Sequence, residues 1–179
     1  MMRRNNQGMS LVEIVIVVAI MAVLTAIMSI GVGSVLSRPA DECAQKIVST
    51  VQDARVTAMG KRSCELSLKQ ASDGAVINVE QTISNKTDKS DAKTTTTKVG
   101  EKGITVTVTN TKNESFKLYE VDALQIIYNR ETGGFKEAKY KTLSDGSAHS
   151  EYIKEIKLEK GSRTRTIKFY YLTGKVEIN

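Results

Sequence analysis

Residues 11–36 form an almost unbroken apolar run, LVEIVIVVAIMAVLTAIMSIGVGSVL, whose one charged residue is Glu13. A segment of about 20 apolar residues is long enough to span a bilayer as a helix. A carboxylate there is costly, about 2.5–3.5 kcal/mol for Asp at a helix centre. A plain membrane anchor has no use for Glu13. Two arginines, Arg3 and Arg4, precede the run, and positive residues mark the cytoplasmic side of such a segment. The N-terminus is therefore expected in the cytoplasm and the rest of the chain outside the plasma membrane.

The mean hydropathy of −0.24 averages two unlike parts, a greasy start and a polar remainder rich in Lys, Thr and Glu. Of the 179 residues, roughly 140 follow the apolar run, enough for one small domain with a single core. Without Trp, with one His and one Pro, the material for an enzyme active site is thin, and the chain reads as non-catalytic. The formal charge of +6 befits solubility. Nucleic acid is the weaker partner class, because no aromatic residues interleave with the basic ones.

The apolar run allows three readings. A secretory signal peptide has an apolar stretch of about 7–15 residues and a small-residue cleavage site. This run is longer and no A-x-A site follows it. A simple signal anchor fits the length and leaves Glu13 and Gly8 unexplained. The third reading rests on the string Gly8-Met9-Ser10-Leu11-Val12-Glu13 and the apolar residues after it. It resembles the N-terminal signature of type IV prepilins and pseudopilins.

That resemblance implies a cut after Gly8 by a prepilin peptidase, methylation of the new N-terminus at Met9, and retention of the apolar stretch as a stem. Leu11, Ile14, Val15, Val18, Ile20, Val23, Leu24 and Ile27 would line it. Glu13 would be the acidic fifth residue of the mature subunit. Its carboxylate could neutralise the α-amine of a neighbouring subunit and so favour one docking register. The family usually has Phe at the position of Met9 and a basic residue at that of Gln7. The implied partners are the peptidase, other pilin or pseudopilin subunits, an inner-membrane assembly platform and the lipid bilayer. The implied product is an extracytoplasmic filament, a type IV pilus or a type II secretion pseudopilus. A competence-type pseudopilin for DNA uptake and an uncut, membrane-anchored binding domain remain the alternatives.

Past the stem, Ala40, Cys43, Ala44, Ile47, Val48, Val51, Ala54, Ala58 and Met59 recur at helical spacing. One long helix from residue 10 to 60 is expected, transmembrane in its first half and amphipathic in its second. Pro39 fits either a kink or the first turn of a second piece. Gly31 and Gly33 each cost a helix about 1 kcal/mol relative to Ala. Residues 31–39 are thus the expected place for the stem to bend in a filament.

After Gly60 the period becomes alternating. Residues 64–69 and 75–80 read as strands around a turn at 72–74, residues 104–108 as a third, and 124–128 with 135–140 as a hairpin over Gly133-Gly134. Residues 153–158, 166–172 and 176–178 complete about seven to nine antiparallel strands, an α+β pattern in which one helix precedes the sheet. Residues 85–98, with Thr94 to Thr97 in a row, read as an exposed loop. The expected organisation is a leader at 1–8, a stem at 9–36, the amphipathic half-helix at 37–61 and a β-rich head at 62–179.

Two later runs extend the resemblance weakly. Ala54-Arg55…Ala58 is similar to a helix motif of H-type minor pseudopilins and related minor pilins. Phe169 to Val176 is similar to their closing strand–Gly–strand element.

No metal or cofactor is expected. There is no CxxC pair and no calcium-loop spacing around Asp88 and Asp91. Asp41-Glu42 and Glu151/Glu155 read as surface charges, and His149 as part of a solvated loop. The Asn85 and Asn113 sequons are chance-level matches. On a helix reaching Gly60, Cys43 lies roughly 25 Å from its end. The chain from Gly60 to Cys64 spans at most about 14 Å. Two free thiols are expected.

Overall fold

The computed structural model describes residues 11–60, 63–71, 74, 76–85 and 90–179, leaving aside the side chains of 27–37. The chain divides into two units, residues 1–36 and residues 37–179, the second being the head. The fold is α+β, a long N-terminal helix followed by antiparallel sheet.

Helix α1 spans Leu11–Met59 with Pro39 inside it. The backbone is helical through 31–39, so the proline does not begin a second piece. Within the head, α1 buries Ala40, Cys43, Ala44, Ile47, Val51, Ala54 and Ala58. This is the stripe read from spacing, except that Val48 is only partly buried and Met59 is exposed. Five of the seven buried positions are alanine or cysteine, which lets the helix backbone approach the strands closely.

Among the described residues eleven strands follow, and they build two sheets where one was expected. They are β1 (Ser63–Gln70), β2 (Ile77–Ser84), β3 (Lys93–Gly100), β4 (Thr105–Asn110), β5 (Ser115–Lys117), β6 (Leu124–Tyr128), β7 (Phe135–Lys141), β8 (Ala148–Glu151), β9 (Ile153–Lys160), β10 (Arg163–Tyr170) and β11 (Lys175–Ile178). One sheet runs β3-β2-β1-β6-β7-β8 and the other β11-β10-β9-β4-β5. Every pairing is antiparallel. In β1 the alternation is regular, with Cys64, Leu66 and Leu68 buried and the residues between them half-buried. That is the period-2 signature of a strand with one covered face.

A single core gathers side chains from α1 and both sheets, including Ile47, Val51, Leu66, Leu124, Ile126, Val106, Ile156, Leu158 and Ile167. Burying each such large side chain stabilises the fold by about 1.5–3 kcal/mol. Phe135 of β7 meets Phe169 of β10 with ring centroids 5.3 Å apart, and Phe116 of β5 stacks on Tyr140 of β7 at 4.2 Å. The Gln70 amide donates to the Ile104 carbonyl at 2.8 Å, joining the end of β1 to the start of β4.

The exposed loop expected at 85–98 is corrected in its second half, where residues 93–100 form edge strand β3 along β2. Its threonines are β-branched and suit a pleated surface. The Thr94 and Thr82 hydroxyls meet across the pair at 3.0 Å. Val99 is buried, and at Gly100 an added Cβ would stand 2.9 Å from the Cys43 Sγ. Strands β5 and β8 were not read from the sequence because each is short and alternates weakly.

Candidate functional site

Gly8 and Met9, the expected processing positions, lie outside the described residues. Glu13 falls in the first turn of α1.

Beyond it the described stem side chains are exposed on every side. Leu11, Ile14, Val15, Val18, Ile20, Val23 and Leu24 all face outward, and so do Val12, Ile16, Val17 and Met21. A helix apolar all round is stable only in an apolar environment. Ile27 belongs to the segment whose side chains are not described. Over the described residues no helix is long and apolar enough to cross a membrane. The described apolar side chains end at Ala26, short of the full run.

The head brings together two stretches that the sequence presented separately. Gly174, in the β10–β11 turn with φ +66°, lies so close to Gly133 that an added Cβ would stand 2.0 Å from the Gly133 carbonyl oxygen and 3.3 Å from the Arg55 Cδ. At Gly133, φ +68°, a Cβ would meet the Met59 Cγ at 2.7 Å. The Phe135 amide donates to the Tyr171 carbonyl at 2.9 Å, binding the β6–β7 turn to the β10–β11 turn. Arg55 thus packs its stem against two glycine turns, and its Nε is buried without a hydrogen-bond partner. The Ala54-Arg55…Ala58 run and the Phe169 to Val176 run meet here. The sequence marked the third participant, Gly133, as a hairpin turn, and nothing in it signalled that this turn meets the other two runs.

Cys43 and Cys64 are free and buried. Burial pushes the Cys43 thiol up to about 12, with the Lys46 ammonium opposing. Burial raises Cys64 as well, against a hydrogen bond from the Gln81 amide. Both are protonated and inert at neutral pH.

His149 is in strand β8 rather than a solvated loop, a correction to the sequence reading. Its ring stacks on Tyr140, with centroids 4.8 Å apart. Its Nε2 is 3.0 Å from the Ser147 Oγ. Asp145 accepts from the Ser147 amide at 3.0 Å and from its hydroxyl at 2.8 Å. The carboxylate therefore closes a turn and does not orient the imidazole, as a nucleophile–base pair requires. Glu151, read as an ordinary surface charge, takes the amide of buried Asn110 and the Lys112 ammonium. Among the described residues no three His, Cys, Asp or Glu side chains cluster as a metal site.

No curated protein and no solved structure matches the chain. Residues 3–29 match the family described as the prokaryotic N-terminal methylation motif. The chain thus carries the N-terminal signature of a prepilin-type substrate of prepilin peptidase, on a helix that leads into an α+β head.

Proposed function

We propose that the chain is a structural subunit of a type IV pilus or type II secretion pseudopilus, made as a single-pass membrane precursor. The observation that carries this reading is the methylation motif over residues 3–29. In it, residues 1–8 are a leader removed after Gly8, Met9 becomes the methylated N-terminus, and residues 9–36 are the stem. The outward-facing apolar side chains of Leu11 to Leu24 support a stem that exchanges lipid for neighbouring stems on assembly. Glu13 then pairs with the amine of another subunit and fixes the register. The head, outside the membrane, decorates the filament, and the meeting of Arg55 with Gly174 supports a minor subunit of the H type.

The test is the mature N-terminus of the chain expressed with a prepilin peptidase. Mass spectrometry is expected to find N-methyl-Met9. An intact Met1 start, or a cut beyond residue 36, ends the reading.

A further inference from the structure

We propose that the end of the head at which the chain enters it is a contact surface for anionic lipid headgroups, built from Arg38, Lys102, Lys160 and Arg163. This rests on the reading that the stem lies in a bilayer.

Three turns converge on this end. The Gly103 amide donates to the Gly74 carbonyl at 3.2 Å, joining the β3–β4 and β1–β2 turns. The Lys160 Nζ donates to the Lys102 carbonyl at 3.3 Å, which brings in the β9–β10 turn. Arg163 stands opposite Lys160 across that hairpin. Asp41, three residues after Arg38 on α1, receives Arg163 at 3.0 Å and Arg165 at 2.5 Å. The first turns of α1 in the head and the β9–β10 turn are therefore one surface.

Its charge is unbalanced. One carboxylate, Asp41, serves two guanidinium groups. The Lys160 ammonium rests on a neutral carbonyl. Arg38 and Lys102 are exposed, and among the described residues neither makes an ion pair. Among the described acids nearby, Glu159 is taken by Lys157, which leaves Glu42 and Glu101, and Asp73 of the β1–β2 turn lies outside the described residues. The surplus is cationic and carried on long side chains whose chemistry suits phosphate, Arg by paired N–H donors and Lys as a point charge.

The tether makes a bilayer the fitting partner. Arg38 follows Leu36 by two positions, so a stem in the membrane holds this cation at the headgroups. Attraction between exposed charges acts over about 10 Å at 0.1 M salt. Tethering raises the effective concentration of a weak contact, so no deep pocket is needed.

The test uses the full chain in vesicles of neutral phosphatidylcholine, alone or mixed with anionic phosphatidylglycerol. An environment-sensitive fluorophore is attached at Ser162→Cys, and the lipids carry a headgroup nitroxide quencher. The native thiols are buried and protonated, so the label goes to the new one. Quenching is expected in the anionic vesicles. It should be lost at high salt and in the Arg38→Gln/Lys102→Gln/Lys160→Gln variant, which leaves the Asp41 pairs intact. A label at Leu172→Cys, at the other end of the head, should stay unquenched. A chain that floats with the vesicles and shows no quenching, or equal quenching in neutral lipid, overturns the proposal alone. So does a chain whose cations bind duplex DNA while making no lipid contact. A chain that fails to float overturns the membrane reading as well.

Discussion

The Tyr128 hydroxyl donates to the Val51 main-chain carbonyl at 2.9 Å, a buried bond that ties β6 to α1. It explains a tyrosine at a core position: the ring fills the core while the phenol reaches the helix backbone. Tyr128→Phe is expected to destabilise the head by about 0.5–1.5 kcal/mol, the net worth of one such hydrogen bond. Urea unfolding of the detergent-solubilised chain would show a lower midpoint at an unchanged slope. A midpoint equal to wild type would remove this bond from the account of the helix–sheet contact.

Alkaline pH should weaken the head through the same region. The Cys43 thiol is raised by burial from 9.0 to about 12, and burial lifts the Tyr128 phenol well above its ordinary value of 10.0. A folded-state pKa above the unfolded one gives stability that is whole below the unfolded value and lost as pH rises through the folded one. The Cys43 contribution is therefore complete below pH 9 and disappears by about pH 12. Cys43→Ala should flatten the fall in unfolding midpoint over that window, and an undiminished fall would clear the thiol.

Two glycines of like conformation should respond unequally to alanine. Gly161 has φ +61° and open space where a Cβ would go, whereas at Gly174 the Cβ would lie 2.0 Å from the Gly133 carbonyl oxygen. Gly161→Ala carries only the strain of a left-handed residue, about 1–2 kcal/mol. Gly174→Ala adds a backbone collision and should cost several-fold more, or prevent folding. Thermal melts of the two variants side by side measure the difference, and equal melting points would mean that the turns separate freely.

Glu13→Val should leave membrane insertion intact, since it removes the one charge from residues 11–36. Incorporation into filaments is expected to be lost, because the neighbour's amine then has no carboxylate. Co-expression with the assembly machinery, followed by shearing and immunoblotting, separates the two effects. Normal incorporation of the variant would defeat the pairing role.

The long helix was legible because its buried stripe repeats at 3.6 residues over many turns, and β1 and β4 because their alternation is strict. Strand β3 was not, since its pairing partner is the backbone edge of β2 and four consecutive threonines carry no hydropathy contrast. Nor was the split into two sheets, which depends on β4 choosing β9 across a long stretch of chain. His149 was misread because its aromatic partner, Tyr140, is set by strand register and by nothing local. The N-terminal motif, by contrast, is written in consecutive residues and needs no fold to be seen.

The convergence of Arg55, Gly133 and Gly174 bears on the order of events in making the molecule. The far end of the helix finds its packing partner only after residue 174 has been synthesised and delivered. Contacts at such separation form late and slowly. On the proposed export of the head, the chain travels with this corner unclosed, and shuts it only when both turns have reached the same compartment.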